Sequence, residues 1–343
     1  MTTANPGLQS QNHGHKNTPE RVSTSRRLML AAGLIALSAG APVQAAYPEK
    51  PIRLVVPFAA GGSATSIARL IADEMAVKLG TSIIVDNRGG AAGGIGATAV
   101  ARAEPDGYTL LFAPTGVIAV NPALYKNLNY SMKELVPVSM AVTYPLMLFV
   151  NTGFPADDMQ TLVAYAKANP GKVTFGSAGY GSSGHLLGEL LKRATQTELV
   201  HVPYKGGGPA MMDVIGGQIS MMMEAAVVGW PHVEAGKLKP IGVSSRQRLV
   251  MAPNVPSFAE GGVKDFDASS WYGVFAPTGT PDDVVNKLRE AVSLAVNDPK
   301  LRPRIEAMGM SSVGSTSAEF AEIIRADTKA WADVVKAANI TVD

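Results

Sequence analysis

The chain has 343 residues, no cysteine, 46% hydrophobic residues and a formal net charge of +2. That length and apolar content suit one large or two medium domains with a sizeable core, and the lack of cysteine removes thiolate catalysis, cysteine-ligated zinc and disulfides together. Lys16, Arg21, Arg26 and Arg27 against Glu20 put +3 on residues 1–45, so the remainder carries −1; no basic field for nucleic acid is left, and no nucleic-acid partner is expected.

Residues 1–45 read as an export leader. Arg21, Arg26 and Arg27 form a basic region, residues 28–41 an Ala/Leu-rich apolar run, and Val43-Gln44-Ala45 a small-residue cleavage site, with cleavage expected after Ala45. The run is shorter than the roughly 20 residues that span a bilayer. Ser25-Arg26-Arg27-Leu28-Met29-Leu30 also resembles a twin-arginine export signal.

From Ile52 onward, short apolar segments alternate with amphipathic ones, which predicts an α/β architecture with a largely parallel sheet. Strands are predicted at 52–56, 82–85, 108–113, 147–150, 173–176, 199–202, 219–223, 238–243 and 272–276. Helices are predicted over 65–79, 95–103, 158–169, 184–194, 208–216, 281–297 and 317–337. Ligands of such sheets lie beyond the carboxyl ends of the strands, and those ends carry the chain's Gly/Ser/Thr-rich loops.

The first such loop is Pro57-Phe58-Ala59-Ala60-Gly61-Gly62-Ser63-Ala64-Thr65. Glycines let the backbone approach a ligand, and the first amides of a helix lack intrahelical acceptors, so strand, glycines and helix start together form a grip for an anion. Nothing in the loop does acid or base chemistry. A second loop, Gly176-Ser177-Ala178-Gly179-Tyr180-Gly181-Ser182-Ser183-Gly184-His185, spells G-x-G-x-x-G at Gly179, Gly181 and Gly184. A dinucleotide site also needs an acidic residue at the end of the next strand, whereas Glu198 precedes that strand and Tyr204-Lys205 follow it. A second glycine and hydroxyl grip explains these residues better. Thr115-Gly116, after the strand 108–113, adds hydroxyl and amide donors.

Catalytic patterns are weak. Ser182 and Ser183 stand beside His185, but chain neighbours do not place a serine oxygen on an imidazole. The position that would complete G-x-S-x-G is His185. His185, His201 and His232 lack metal-site spacing. No metal and no cofactor are expected.

Several segments together carry a family resemblance: Tyr47-Pro48 with Lys50-Pro51-Ile52-Arg53-Leu54-Val55-Val56-Pro57-Phe58, Val85-Asp86-Asn87-Arg88, Pro105-Asp106-Gly107-Tyr108-Thr109-Leu110-Leu111, Ala166-Lys167-Ala168-Asn169-Pro170-Gly171-Lys172, His201-Val202-Pro203-Tyr204-Lys205-Gly206, Ala235-Gly236-Lys237-Leu238 and Ala276-Pro277 with Gly279-Thr280-Pro281. In this order they resemble the Bug-type receptors, the extracytoplasmic solute-binding proteins of tripartite tricarboxylate transporters.

The resemblance implies a two-lobed periplasmic-binding-protein architecture, type II-like, each lobe a mixed, mainly parallel sheet flanked by helices, with lobe 1 at 46–147 and 270–343 and lobe 2 at 148–269. Phe149-Val150-Asn151-Thr152-Gly153-Phe154-Pro155 recurs as Phe275-Ala276-Pro277-Thr278-Gly279-Thr280-Pro281, in keeping with chain crossings near 147 and 270. A small carboxylate would lie between the lobes, contacted by Phe58, Ala60, Gly61, Gly62, Ser63, Thr65, Thr115 and Gly116 from one side. Ser177, Gly179, Tyr180, Gly181, Ser182, His185, Tyr204 and Glu224 would face it from the other. Two positions depart from the family: it usually has proline at Ala60 and aspartate at Thr65, where threonine still caps the helix. Glu224 stands where the family generally has aspartate, and a carboxylate there either binds a ligand amine or orders a loop. The implied protein is a periplasmic monomer that delivers its ligand to integral membrane transporter subunits. The competing expectations are an exported α/β hydrolase or nucleotide-dependent oxidoreductase, and a receptor that feeds a signalling kinase.

Overall fold

A computed structural model describes residues 47–337, together with the isolated Gly14; the expected export leader lies outside the described residues. The first stretch runs β1 (Ile52–Val56), α1 (Ser63–Leu79), β2 (Ile83–Asn87), α2 (Gly94–Ala101) and β3 (Thr109–Pro114). A π-helical turn, Gly116–Val120, then leads into the short α3 (Asn121–Leu124) and β4 (Leu135–Pro145). The second stretch runs β5 (Met147–Asn151), α4 (Met159–Ala168), β6 (Thr174–Ser177), α5 (Ser183–Thr195), β7 (Val200–Pro203), α6 (Gly207–Ile215), β8 (Met221–Glu224), α7 (Ala226–Glu234) and β9 (Leu238–Val243). The chain returns through β10 (Ser269–Pro277), α8 (Asp282–Val296), α9 (Arg302–Ala307), β11 (Ser311–Ser312) and α10 (Ser317–Ala337).

These strands form two sheets, ordered β11-β4-β10-β3-β1-β2 and β7-β6-β8-β5-β9. The result is a two-lobed α/β fold. The sheets are mixed rather than mainly parallel. β1 pairs in parallel with β2 and β3, and β6 with β7 and β8, but β10 runs antiparallel to β3 and β4, and β5 antiparallel to β8 and β9. The physical reason is the crossing. Only Leu146 separates β4 from β5, so the chain leaves one sheet as an antiparallel strand and enters the other the same way.

Local sequence accounts for most elements. In α1, the buried Ile67, Ile71, Met75 and Leu79 recur on one face, and the left-handed Gly80, at φ 69°, ends the helix by donating to the Ala76 carbonyl. Asp158 opens α4 by accepting the Thr161 amide, and Asp282 and Asp283 complement the positive start of α8. α8 packs on α1 and β4, and α10 on β4 and the π-helical turn. Phe275 and Phe320 pack tilted at 5.2 Å with the Trp271 edge against Phe320, and all three are buried. Among the described residues no helix is long and apolar enough to cross a membrane.

Candidate functional site

Two strand-to-helix loops meet between the sheets: the one from β1 into α1, and the one from β6 into α5. They enclose a cavity of about 30 Å³. Phe58, Gly62 and Ser63 line it from the first loop, and Ala178, Ser182 and Ser183 from the second. Pro114, Tyr144 and Tyr272 wall the side nearest β3, β4 and β10, and Gly207 and Glu224 close the far side.

The start of α1 offers bare amides. Its N-cap is Gly62, at φ −93° and ψ 173°, and no side chain caps it. This corrects one expectation: Thr65 does not cap the helix, because the helix begins at Ser63 and Thr65 lies inside the first turn. Its hydroxyl instead accepts from Asn87 Nδ2 at 2.7 Å, which also donates to the Phe58 carbonyl at 2.9 Å. Asn87, at the end of β2, thus fixes the loop from beneath. α5 is capped by Ser182, whose Oγ accepts the His185 amide and donates to the Gly179 carbonyl at 2.7 Å.

Backbone meets backbone across the cleft. The Ala59 amide donates to the Lys205 carbonyl at 3.3 Å, and a methyl on Gly62 would lie 3.5 Å from the Gly207 nitrogen. The seam between Gly116 and Gly181 is tighter still, since a methyl on Gly116 would fall 2.1 Å from the Gly181 carbonyl oxygen. Side chains join the lobes too. Ser63 Oγ donates to Glu224 Oε1 at 2.8 Å and lies 2.8 Å from the Tyr272 hydroxyl, which is left to donate to it.

Of the expected contact residues, Phe58, Gly62, Ser63, Ser182 and Glu224 line the cavity. Ala60 and Gly61 are exposed on the rim. Thr115 is buried, and its Oγ1 accepts both Ser270 Oγ and the Trp271 amide at 3.1 Å, so it ties β10 to the end of β3. Gly116, Gly179 and Gly181 are buried loop backbone. Ser177 Oγ sits 2.7 Å from His201 Nε2 and accepts the Gly179 amide. Tyr204 turns away, donating its hydroxyl to Asp213. Tyr180 stands half-exposed over two stacked imidazoles, His185 and His201, whose rings are 4.0 Å apart.

Those imidazoles brace the second loop from below, with His185 Nδ1 accepting the Gly181 amide at 3.1 Å. Burial pushes His185 down to about 4, with Lys192 adding to the effect. Burial, then the neighbouring His185 and Lys192, push His201 down to about 3. Ser182 and Ser183 make no pair with the His185 ring, whose Nδ1 is already used as an acceptor. At the G-x-G-x-x-G loop, Glu198 lies before β7 and its carbonyl accepts the Gly171 amide, so the acid needed for a ribose is not at the strand end.

Pro114, Tyr144 and Tyr272 escaped the sequence reading, whereas Ala178 belongs to the second glycine loop and Gly207 to the loop 204–209 that the resemblance places at the pocket. Tyr144 and Tyr272 come from different strands and stack at 4.7 Å only through the β4–β10 pairing. Glu224 is buried among them; burial holds its carboxyl above the usual range, partly offset by the Ala225 amide and the Ser63 hydroxyl.

Two α/β lobes that meet at a cavity of helix-start amides and hydroxyls define a solute-binding receptor of the periplasmic-binding-protein class. The family model described as "Tripartite tricarboxylate transporter family receptor" matches residues 67–340, and the chain belongs to that family. Among similar solved structures, the periplasmic binding protein BugD is 35% identical, with a TM-score of 0.82 over 86% of this chain and 99% of that one. An R. palustris protein, Rpa4515, solved with adipate, is 31% identical with a TM-score of 0.84 over 86% of this chain and 99% of its own. MatC from Rhodopseudomonas palustris, with bound malate, is 33% identical with a TM-score of 0.80 over 84% and 100%.

Proposed function

We propose that this chain is a periplasmic receptor that closes two lobes on a small carboxylate and delivers it to the membrane subunits of a tripartite tricarboxylate-type transporter. The observation that carries the reading is the facing of two helix starts, α1 and α5, across one cavity lined by Gly62, Ser63, Ser182 and Ser183. Helix-start amides and neutral hydroxyls stabilise an anion without the desolvation cost of a buried cation. The relatives that carry adipate and malate support the same ligand chemistry. Lobe 1 comprises 46–147 and 270–343 and lobe 2 comprises 148–269, a division supported by the change of sheet at Leu146 and again between β9 and β10. The ligand contacts divide between them: Ser63 and the amides around Gly62 in lobe 1, Ser182 and Ser183 in lobe 2, with Phe58 and Tyr272 as apolar walls.

A 30 Å³ cavity holds little more than one water, so a carboxylate enters by lobe opening, and occupancy is read by the transporter as the closed shape. The leader at 1–45 takes the chain to the periplasm, where it acts as a monomer. The function is binding rather than catalysis: neither Ser182 nor Ser183 is paired with an imidazole that could activate it, and His185 Nδ1 already accepts the Gly181 amide.

The test is a thermal-shift screen of the purified protein against linear and aromatic mono-, di- and tricarboxylates, followed by analysis of the recovered compound. A carboxylate at a hundred times its dissociation constant stabilises by about 2.7 kcal/mol, a shift of a few degrees. A ligand recovered chemically changed refutes the receptor reading in favour of an enzyme.

A further inference from the structure

The chain changes sheet twice, through Leu146 between β4 and β5 and again at the entry to β10. Ser244, the residue after β9, bonds to both crossings and is fully buried. Its amide donates to the Leu146 carbonyl at 2.8 Å, and its carbonyl accepts the Ala268 amide at 2.9 Å. Its hydroxyl serves the same two residues: Ser244 Oγ accepts the Leu146 amide at 2.9 Å and donates to the Ala268 carbonyl at 2.7 Å. An antiparallel pair ordinarily exchanges backbone bonds in both directions. Here the Ser244 carbonyl is turned to Ala268, so the hydroxyl stands in as the acceptor for Leu146. One residue therefore satisfies the amide and the carbonyl of each crossing. Alanine there would leave the Leu146 amide and the Ala268 carbonyl without these partners.

Leu146, Ser244 and Ala268 continue the register of the second sheet, where Met147 pairs with Val243. The first sheet takes over one residue further on, with Pro145 opposite Ser269. Only the Pro145–Leu146 and Ala268–Ser269 links lie between the two registers, and proline has no amide to add a bond there. A pocket of about 330 Å³ opens against these links, with Pro145, Ser245 and Ser269 in its wall, so they have space in which to bend. Tyr144, next to the first link, lines both that pocket and the ligand cavity. Bending at the links moves the loops of the second sheet towards or away from Tyr144 and the start of α1. We propose that Ser244 is the hinge pin of the receptor, a positioning residue outside the cavity wall. It binds Leu146 and Ala268 into one block with the second sheet, so both links bend together and the starts of α1 and α5 meet in a single register. Hinges of this kind are a few residues at element ends that absorb the backbone change. Ser244 does not line the cavity, so its effect on a ligand passes through closure.

The inference rests on the two-lobed receptor reading, and the test keeps the two apart. The chain has no cysteine, so Asp73→Cys on α1 and Gln218→Cys after α6, both exposed positions, place one spin label on each lobe of the full chain. Pulsed dipolar spectroscopy then reads the distribution of distances between them. Without ligand, Ser244→Ala is expected to broaden that distribution about twofold, because the two links bend independently. Thr195→Val, which removes a buried hydroxyl bond to the Leu191 carbonyl within α5, controls for general loss of stability and should keep the wild-type width. A wild-type width in Ser244→Ala, or equal broadening in Thr195→Val, overturns the pin. Hydrogen exchange in the wild-type protein decides the matter if Ser244→Ala does not fold. The Leu146 and Ala268 amides are held by the same residue, so their protection should agree within about tenfold. A larger difference shows that the crossings open separately and overturns the pin. The receptor reading has its own arm: adipate, malate and terephthalate are added to the labelled wild-type protein. If none shortens the distance, closure on a carboxylate fails, while the ligand-free widths still decide whether Ser244 couples the crossings.

Discussion

Ser183 Oγ lies 2.7 Å from Ser270 Oγ, and this buried contact joins the first turn of α5 to the start of β10. Ser270 donates onward to Thr115 Oγ1, so Ser183 is the donor in the pair, and a single hydroxyl chain crosses from one sheet to the other. Ser183→Ala removes the donor and leaves the Ser270 oxygen under-satisfied in a buried setting. The expected cost is about 1 kcal/mol of stability, together with a larger population of open molecules. Urea unfolding checks the first outcome. Small-angle scattering checks the second, as a larger radius of gyration than wild type without ligand.

Acid should weaken the fold earlier than carboxylate titration would. His185 and His201 are held neutral by burial, with folded values of about 4 and about 3, against an ordinary 6.5. A histidine whose folded value is depressed contributes full stability above about 6.5 and loses it as pH falls towards the folded value, because the unfolded chain takes up the proton first. From pH 6.5 to 4, His185 alone accounts for roughly 3 kcal/mol, and the partly exposed His201 for less. Lys192 adds to the depression of both. Glu224 and Asp327, whose carboxyls are raised by burial, work in the opposite direction. Urea midpoints at pH 7, 6 and 5 should fall in that order. A flat profile across this window would falsify the neutral, buried state of the pair.

The same contrast shows what the sequence reveals and what it hides. β1, its glycine loop and α1 are readable because apolar runs, glycines and a 3.6-residue period are all local. The start of α1 is misjudged by two residues because its cap is a glycine, not the hydroxyl that usually marks the position. The eleven-residue β4 goes unread because Pro137 and Pro145 argue against a strand and its burial does not alternate. With β4 go Tyr144 and its stacking on Tyr272, since neither residue is informative until β4 and β10 are in register. Thr115, Ser177 and Tyr204 have hydroxyls suited to a ligand, but Thr115 accepts from Ser270 and Trp271, Ser177 is engaged with His201 and Gly179, and Tyr204 donates to Asp213. Only contacts distant in the chain reveal that.

Removing the charge at Glu224 should stabilise the ligand-free protein. The group is buried, and its carboxyl is raised chiefly by desolvation, so its ionised form costs stability above the folded value. Glu224→Gln should therefore gain about 1 kcal/mol or more at pH 8. The gain should shrink as pH falls and the wild-type carboxyl takes up its proton. Paired urea titrations at pH 8 and pH 5 measure the difference. An equal gain at both values would show that packing, not charge, separates the two proteins.

Gly116→Ala should separate folding from closure. Gly116 opens the π-helical turn after β3, where alanine costs nothing conformationally. Its missing methyl matters only when the lobes are shut: a Cβ there would lie 2.1 Å from the Gly181 carbonyl oxygen and 3.2 Å from the Ser182 Cα. Both neighbours are backbone at the start of α5, and Gly181 is held by the His185 imidazole and by its own positive φ of 72°, so neither can yield cheaply. Ligand affinity should fall at least a hundredfold while the melting temperature of the empty protein stays within a few degrees of wild type. Gly181→Ala provides the comparison, because its methyl would strike Asn121 Oδ1 at 2.2 Å and also strain the backbone, lowering both stability and affinity. Calorimetry and thermal melts on the two variants decide the matter: affinity retained in Gly116→Ala would mean that this seam is not part of the closed, ligand-holding form.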